Sequence, residues 1–247
     1  MIVRKIKNHI KRSDHIVAKK IIIIAKNYAY YSGPNLPKVY RIIRWFHYSS
    51  QYLFSELLRV FYFTPILKSH LTNPPNKLML SNGIPLIQGD LKISIGENCR
   101  LSGMTSFSGR TVSPKNDLGI ITPELIIGDN CGIGWQTGIA VGRRVIIGNN
   151  VRIAGRSTLA GYPGHPLDSK RRANGEPDDD NQVGDIILED DVWLATGVNV
   201  MANVRIGRGT IVACGSIVTH DLPPNVLAAG IPAKVIRNLD SADEEEH

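Results

Sequence analysis

Long apolar runs are missing from this 247-residue chain: the longest unbroken aliphatic stretch is Ile21 to Ala25, where a membrane-spanning helix needs about 18 residues. Cysteine is equally scarce. Cys99, Cys131 and Cys214 are an odd number at no metal-like spacing, which argues against a disulfide scaffold and against a thiolate metal site. The short apolar stretch also lacks a small-residue cleavage site, so no signal peptide is recognised and a reduced, cytoplasmic protein is expected. Acids are almost absent from residues 1–72, where 13 Lys and Arg face only Asp14 and Glu56 (net +11); downstream, 16 face 20 (net −4). What is present excludes wholesale disorder, because 43% of the residues are hydrophobic and 21% charged.

The basic third is patterned. Ile2, Ile6, Ile10, Ile16 and Ile21 to Ile24 recur among Arg4, Lys5, Lys7, Lys11, Arg12, Lys19, Lys20 and Lys26 at helical spacing. A second segment after Pro37, from Val39 to about Leu67, carries Ile42, Trp45, Phe46, Tyr48, Tyr52, Leu53 and Phe61 with Arg41, Arg44 and Arg59. Aromatics, aliphatics and cations with few acids fit an interfacial helix on an anionic bilayer, at the inner face of the membrane. They equally fit helices that cap or pack against the main domain, and both readings stand at this point. The amphipathic pattern disfavours nucleic acid as a partner.

From Ile95 onward an aliphatic residue recurs every six positions, clearest at Leu188, Leu194, Val200, Ile206, Val212 and Val218. A small or branched companion follows four residues later at Val192, Val198, Val204, Thr210, Ser216 and Leu222. Ile127, Ile133, Ile139, Ile147, Ile153 and Leu159 continue the series upstream, with a slip of two residues at Arg143-Arg144. Two inward positions per six describe a short strand and a tight corner, so three hexapeptides make one triangular coil and successive coils stack through parallel ladders. Leu188 and Ile206 should then lie one coil apart. Cys99 and Cys131 fall on inward slots and Cys214 on an outward one. The expected domains are a basic helical extension over 1–73, a β-helix over 74–237 with an excursion at 160–187, and an acidic tail over 238–247.

In that excursion, Gly164-His165-Pro166 places a histidine at the root of a polar loop. The acids Glu176, Asp178, Asp179, Asp180 and Asp185 follow, open at this stage to a solvated role, to repelling anions or to binding a cation. The motifs His165-Pro166-Leu167-Asp168, Asp191-Val192-Trp193, Gly215-Ser216-Ile217-Val218-Thr219, Asp221-Leu222-Pro223-Pro224-Asn225 and Gly230-Ile231-Pro232-Ala233-Lys234-Val235-Ile236-Arg237 together resemble the hexapeptide-repeat O-acetyltransferases of the maltose, galactoside and nodulation branch, over about residues 88 to 237. The resemblance implies a mainly β protein built on a left-handed parallel β-helix, assembled as a homotrimer with acetyl-CoA sites between subunits. It implies His165 as general base and Thr196, Cys214 and Thr219 as acetyl-CoA contacts, with Lys234 and Arg237 near the phosphates. Gln136, Asp168 and Trp193 would line the acceptor site, and no metal is implied. Gln136 stands where the sugar branch has an acceptor-binding Asn, and the basic aromatic segment replaces a short helical cap. Both departures suit a larger acceptor brought by a membrane carrier.

The expected activity is therefore acetyl-CoA-dependent O-acetylation of a sugar hydroxyl on a glycan or polysaccharide precursor, by direct transfer. N-acetylation of an amino sugar or xenobiotic would use the same base, and a non-enzymatic trimeric scaffold is a third alternative. A zinc anhydrase on this fold needs three histidines, and the repeat region offers only His165 and His220.

Overall fold

The computed structural model describes residues 16–110, 115–116, 119–120 and 122–239. The pattern read over residues 1–15 and the acidic tail beyond Leu239 lie outside the described residues. The chain divides into two compact units, Met1–Gln51 and Tyr52–His247. In the first, helix Ile16–Ala29 carries the isoleucine run, Gly33 turns the chain at φ 81°, and Pro37 opens a second helix, Pro37–Leu58. Proline suits that place, because its φ is already helical and its missing N–H would have no partner in a first turn. The helix continues past the unit boundary through a π turn, Arg59–Phe63, into helix Thr64–Ser69. Pro65 offers no N–H to the preceding turn, and the Thr64 N–H donates instead to the Arg59 carbonyl. The N-terminal helical extension is thus present. Trp45, Phe46, Tyr48, Tyr52 and Leu53 are all exposed along it.

The second unit is a left-handed parallel β-helix with three faces. The first face stacks Leu78–Ser81, Cys99–Ser102, Gly132–Ile133, Arg152–Ile153, Trp193–Leu194 and Ile211–Val212, and ends in Val226–Gly230 with the antiparallel strand Ala233–Asn238. The second stacks Leu86–Gln88, Ser106–Gly109, Gly138–Val141, Thr158–Ala160, Asn199–Met201 and Ile217–Val218; the third stacks Lys92–Ile95, Glu124–Ile127, Arg144–Ile147, Ile186–Leu188 and Val204–Ile206. Leu188 pairs with Ile206, Leu194 with Val212 and Val200 with Val218, the register the six-residue period demands. All of these side chains are fully buried, as are Val192, Val198 and Thr210 from the companion series. At about 1.5–3 kcal/mol per buried aliphatic side chain, this axial column is the main source of stability. Cys99 and Cys131 are buried and unpaired by any disulfide, and Cys214 is exposed.

The corners explain the rest of the hexapeptide code. Asn98, Asn130, Asn150 and Asp191 stack between the third and first faces with φ of 54–63°, a left-handed conformation that Asn and Asp tolerate better than most residues. Asn130 Nδ2 donates to Asn150 Oδ1 (2.8 Å), and Asn150 Nδ2 donates to Asp191 Oδ1 (2.9 Å), so the corner is also a polar ladder. One coil precedes Ile95, the point from which the six-residue period is regular. Leu80, Ile87 and Ile93 form a coil that departs from strict six-residue spacing, and each is paired with the next coil at Leu101, Phe107 and Leu125. Above it, Leu67 and Leu71 from the end of the helical segment join the core, and Thr72 N–H donates to the Ile93 carbonyl (2.9 Å).

Candidate active site

Two excursions interrupt the coils, after Arg110 and after Ala160, and both leave from the corner between the second and third faces. The longer one is fastened at several points. Tyr162 Oη donates to Ser108 Oγ (3.2 Å), and Arg144 pairs with Asp185 at its far end (2.5 Å). In the middle, the Arg110 guanidinium donates from Nε to Asp178 Oδ1 (2.7 Å), from Nη1 to Asp180 Oδ1 (2.6 Å) and from Nη2 to the Asp178 carbonyl (2.8 Å). The Arg110 and Asp178 side chains are only 3% and 4% exposed. Burial by itself works against the Arg110 charge, yet the hydrogen bonds to Asp180 and Asp178 leave its pKa raised.

That ion pair reaches the candidate base through one further bond. Asp178 Oδ2 accepts the Gly164 N–H (3.0 Å), and Gly164 sits at φ 79°, a conformation that favours glycine. On the other side of His165, Arg172 Nη1 donates to the carbonyls of Pro166 (2.9 Å) and Leu167 (3.0 Å), and Pro166 is buried. Asp168 caps helix Ser169–Ala173 by accepting the Arg171 N–H (2.8 Å). The backbone around His165 is thus held from both sides. The imidazole itself is exposed and has no hydrogen-bonding partner among the described residues, so both ring nitrogens can serve a reacting group.

The acids of this stretch are paired with arginines while all but Asp178 keep contact with solvent. Glu176 and Asp179 pair with Arg171 (2.8 Å each), Asp178 and Asp180 with Arg110, and Asp185 with Arg144. Arg110 is the residue that sequence reasoning missed. Its partner lies 68 positions away, and its only local signal is an arginine directly after an inward-facing strand, where the repeat lapses.

The other predicted residues lie elsewhere on the prism. Gln136 (φ 55°) occupies the corner between the first and second faces, beside Trp135, whose ring lies 5.3 Å from the Arg156 guanidinium. Thr196 and Cys214 follow on later coils of the same corner, where Gly215 N–H donates to the Thr196 carbonyl (3.0 Å). Trp193, 48% exposed, stands next to Arg152 on the adjoining first face. Thr219 follows Val218, which continues the Leu159–Val200 rung, and its hydroxyl meets His220 Nδ1 at 2.9 Å on the corner from which the His165 loop departs. Lys234 and Arg237 are exposed on the terminal strand. One chain therefore assembles His165, Asp168 and Thr219 on one corner and Gln136, Thr196 and Cys214 on another, and it does not bring Gln136 to His165.

No family model matches the chain. The galactoside O-acetyltransferase of Escherichia coli is 38% identical over 118 residues, 48% of this chain and 56% of that protein. The galactoside O-acetyltransferase of Lactococcus lactis is 31% identical over 151 residues, 60% of this chain and 64% of that protein. The chain thus spans less than two thirds of the length of these relatives. Among solved structures, the N-acyltransferase AntD of Bacillus cereus, in complex with dTDP-4-amino-4,6-dideoxyglucose and coenzyme A, superposes with a TM-score of 0.56 at 21% identity, covering 73% of this chain and 93% of that one. It has the same fold.

Proposed function

We propose that this chain, a homologue of the hexapeptide-repeat acetyltransferases, is an acetyl-CoA-dependent O-acetyltransferase acting on a sugar hydroxyl of a glycan precursor. The carrying observation is the His165 segment, whose backbone is fixed through Asp178 and Arg172 while the imidazole is left exposed. In this reading the imidazole accepts the proton of the acceptor hydroxyl as its oxygen attacks the thioester carbonyl. The carbon–sulfur bond then breaks, the acetyl group stays on the acceptor oxygen, and the proton returns to the departing sulfur. No enzyme-bound acyl intermediate is needed. Thr196, Cys214 and Thr219 flank the pantetheine, and Lys234 and Arg237 take the phosphates of the nucleotide end.

The division of these residues between two corners supports a site shared by neighbouring copies, most simply in a homotrimer, with Gln136 of one copy approaching His165 of the next. Purified protein offered acetyl-CoA with free, nucleotide-linked and lipid-linked glycans, and products located by mass spectrometry, tests the activity. Acetyl-CoA turnover with none of them would remove the reading, and an acetylated amine in place of an ester would reassign it to N-transfer.

The helical segment fits peripheral attachment to an anionic bilayer. None of the described helices is long and apolar enough to cross a membrane. In Pro37–Leu58, Trp45, Phe46, Tyr48 and Leu53 are exposed alongside Arg41 and Arg44, and the one acid, Glu56, is neutralised by Arg59 at 2.6 Å. Each cation near such a surface contributes about 1 kcal/mol. Co-sedimentation with anionic vesicles should be strong at low salt and absent with neutral ones; no sedimentation at low salt would end this part of the proposal.

A further inference from the structure

We propose that the first face holds a binding site for a diphosphate, built from Arg100 and Arg152 across Gly132 with Trp193 as its end wall, and that its ligand is the acceptor in the form of a sugar diphosphate. The assignment to the acceptor rests on the acetyl-transfer reading; the diphosphate site itself does not.

The geometry is that of a shallow trough of about 320 Å³ running along the ladder. Arg100, Gly132, Arg152 and Trp193 are successive rungs, since Arg100 pairs with Gly132, Gly132 with Arg152, and Arg152 with Trp193. Rungs of a sheet lie about 4.8 Å apart, which places the two arginine stems about 10 Å apart on either side of a residue with no side chain. A Cβ at Gly132 would stand 3.3 Å from Arg152 Cδ, so glycine lets the arginine stem lie over the floor, which Gly134 and Ala154 extend.

Neither guanidinium forms an ion pair among the described residues. Arg152 donates only to neutral acceptors, the Asn130 and Val151 carbonyls and Asn130 Oδ1, and the side chain of Arg100 has no hydrogen-bonding partner there. Arg110, Arg144, Arg171, Arg205 and Arg208 meet carboxylates, whereas Arg143, Arg156, Arg172 and Arg237 meet none among the described residues; Arg100 and Arg152 are the two that flank one glycine-floored trough. Two uncompensated planar cations over a glycine floor match the two charged centres of a diphosphate, which guanidinium groups bind bidentately. The exposed Trp193 ring beside them offers a flat apolar surface to whatever the diphosphate carries, a base or the first isoprene units of a lipid.

Coenzyme A is itself a diphosphate, but the proposed function assigns its phosphates to Lys234 and Arg237. Arg237 lies opposite Leu227, which follows Ile211 and Trp193 along the same face, so about four rungs, or about 19 Å, separate the two cationic groups. One is left over for the acceptor.

Calorimetric titration of the full-length protein with uridine diphosphate, farnesyl diphosphate and coenzyme A, repeated for Arg100→Gln, Arg152→Gln and the Lys234→Gln/Arg237→Gln pair, decides the matter. At least one of the first two ligands should bind, and each single Arg→Gln change should weaken it about tenfold or more while coenzyme A affinity stays within about twofold. The Lys234/Arg237 variant should show the reverse. Tighter uridine diphosphate binding identifies a nucleotide-linked acceptor and tighter farnesyl diphosphate binding a lipid-linked one. The proposal fails if neither binds at about 1 mM, or if Arg100→Gln and Arg152→Gln weaken coenzyme A instead. Diphosphate binding in a protein that shows no acetyl-CoA turnover would overturn the enzymatic reading and leave the site standing.

Discussion

Replacing Arg110 by methionine should release the His165 loop without unfolding the β-helix. The substitution keeps an apolar stem of similar length and leaves the Asp178 carboxylate, 4% exposed, with the Gly164 N–H as its remaining hydrogen-bond donor among the described residues. Breaking a buried pair from one side costs about 3–5 kcal/mol, and the bond to Asp180, whose side chain is 54% exposed, adds little to that. The cost falls on the loop because the strands on either side of it, Thr158–Ala160 and Ile186–Leu188, are each laddered to coils above and below. If about 3 kcal/mol of it opposes docking, the open population rises by about two orders of magnitude at 1.4 kcal/mol per tenfold. Trypsin reports this directly, since Lys170, Arg171 and Arg172 lie in the loop. Cleavage there should accelerate by a comparable factor, kcat for acetyl transfer should fall, and the far-ultraviolet circular dichroism of the β-helix should persist. Adding Asp178→Asn removes the stranded charge yet keeps an acceptor for Gly164, so the double variant should regain much of the protection. Cleavage and kcat both within twofold of the parent in Arg110→Met would refute the view that this pair positions His165.

Three further outcomes follow from the same geometry. His165→Ala should lower turnover by about two to four orders of magnitude, and mixing it with an inactive Gln136→Leu chain under exchange conditions should restore part of the activity; no recovery would place both residues in one subunit's site. Cys214→Ala should leave turnover near the parent value while Cys214→Trp raises KM for acetyl-CoA, and loss of activity in Cys214→Ala with CoA still bound would call for an acyl-cysteine route. Hydrogen bonds from the Asn76 and Lys77 amides hold the Glu97 carboxyl below its ordinary pKa of 4.5. Its contribution is present above that value and lost as pH falls through the lowered one, so protection of the Asn76 and Lys77 amides, measured against their intrinsic exchange rates, should fall at acid pH, and Glu97→Gln should abolish the difference.

The legible part of the sequence was the part governed by a short local rule. A hexapeptide fixes its own strand and corner, so Leu188, Leu194 and Val200 announced their burial and their partners one coil on. The first coil lies inside the span assigned to the β-helix but is not spelled out by the period, which Leu80, Ile87 and Ile93 do not keep; capping by the helical segment was one of two open readings, and nothing in an amphipathic pattern singles out Leu67 and Leu71 as the residues that enter the core. His165 was legible through the motif around it. Its support was not, since Arg110 and Asp178 meet only when two lapses in the repeat fold onto the same corner.

The two ends of the stack also bear on how copies of the chain can meet. A solenoid with a bare terminal coil presents unpaired strand edges on which another molecule can continue the ladder, as fibres do. Here one end is stoppered by the helix bearing Leu67 and by the bridge from Leu71 to Ile93. At the other, the strand Ala233–Asn238 reverses direction and closes the first face with the charged side chains of Lys234 and Arg237. Each cap covers one face of the stack, so the ladder edge on which a second molecule could continue the coils is shortened at both ends.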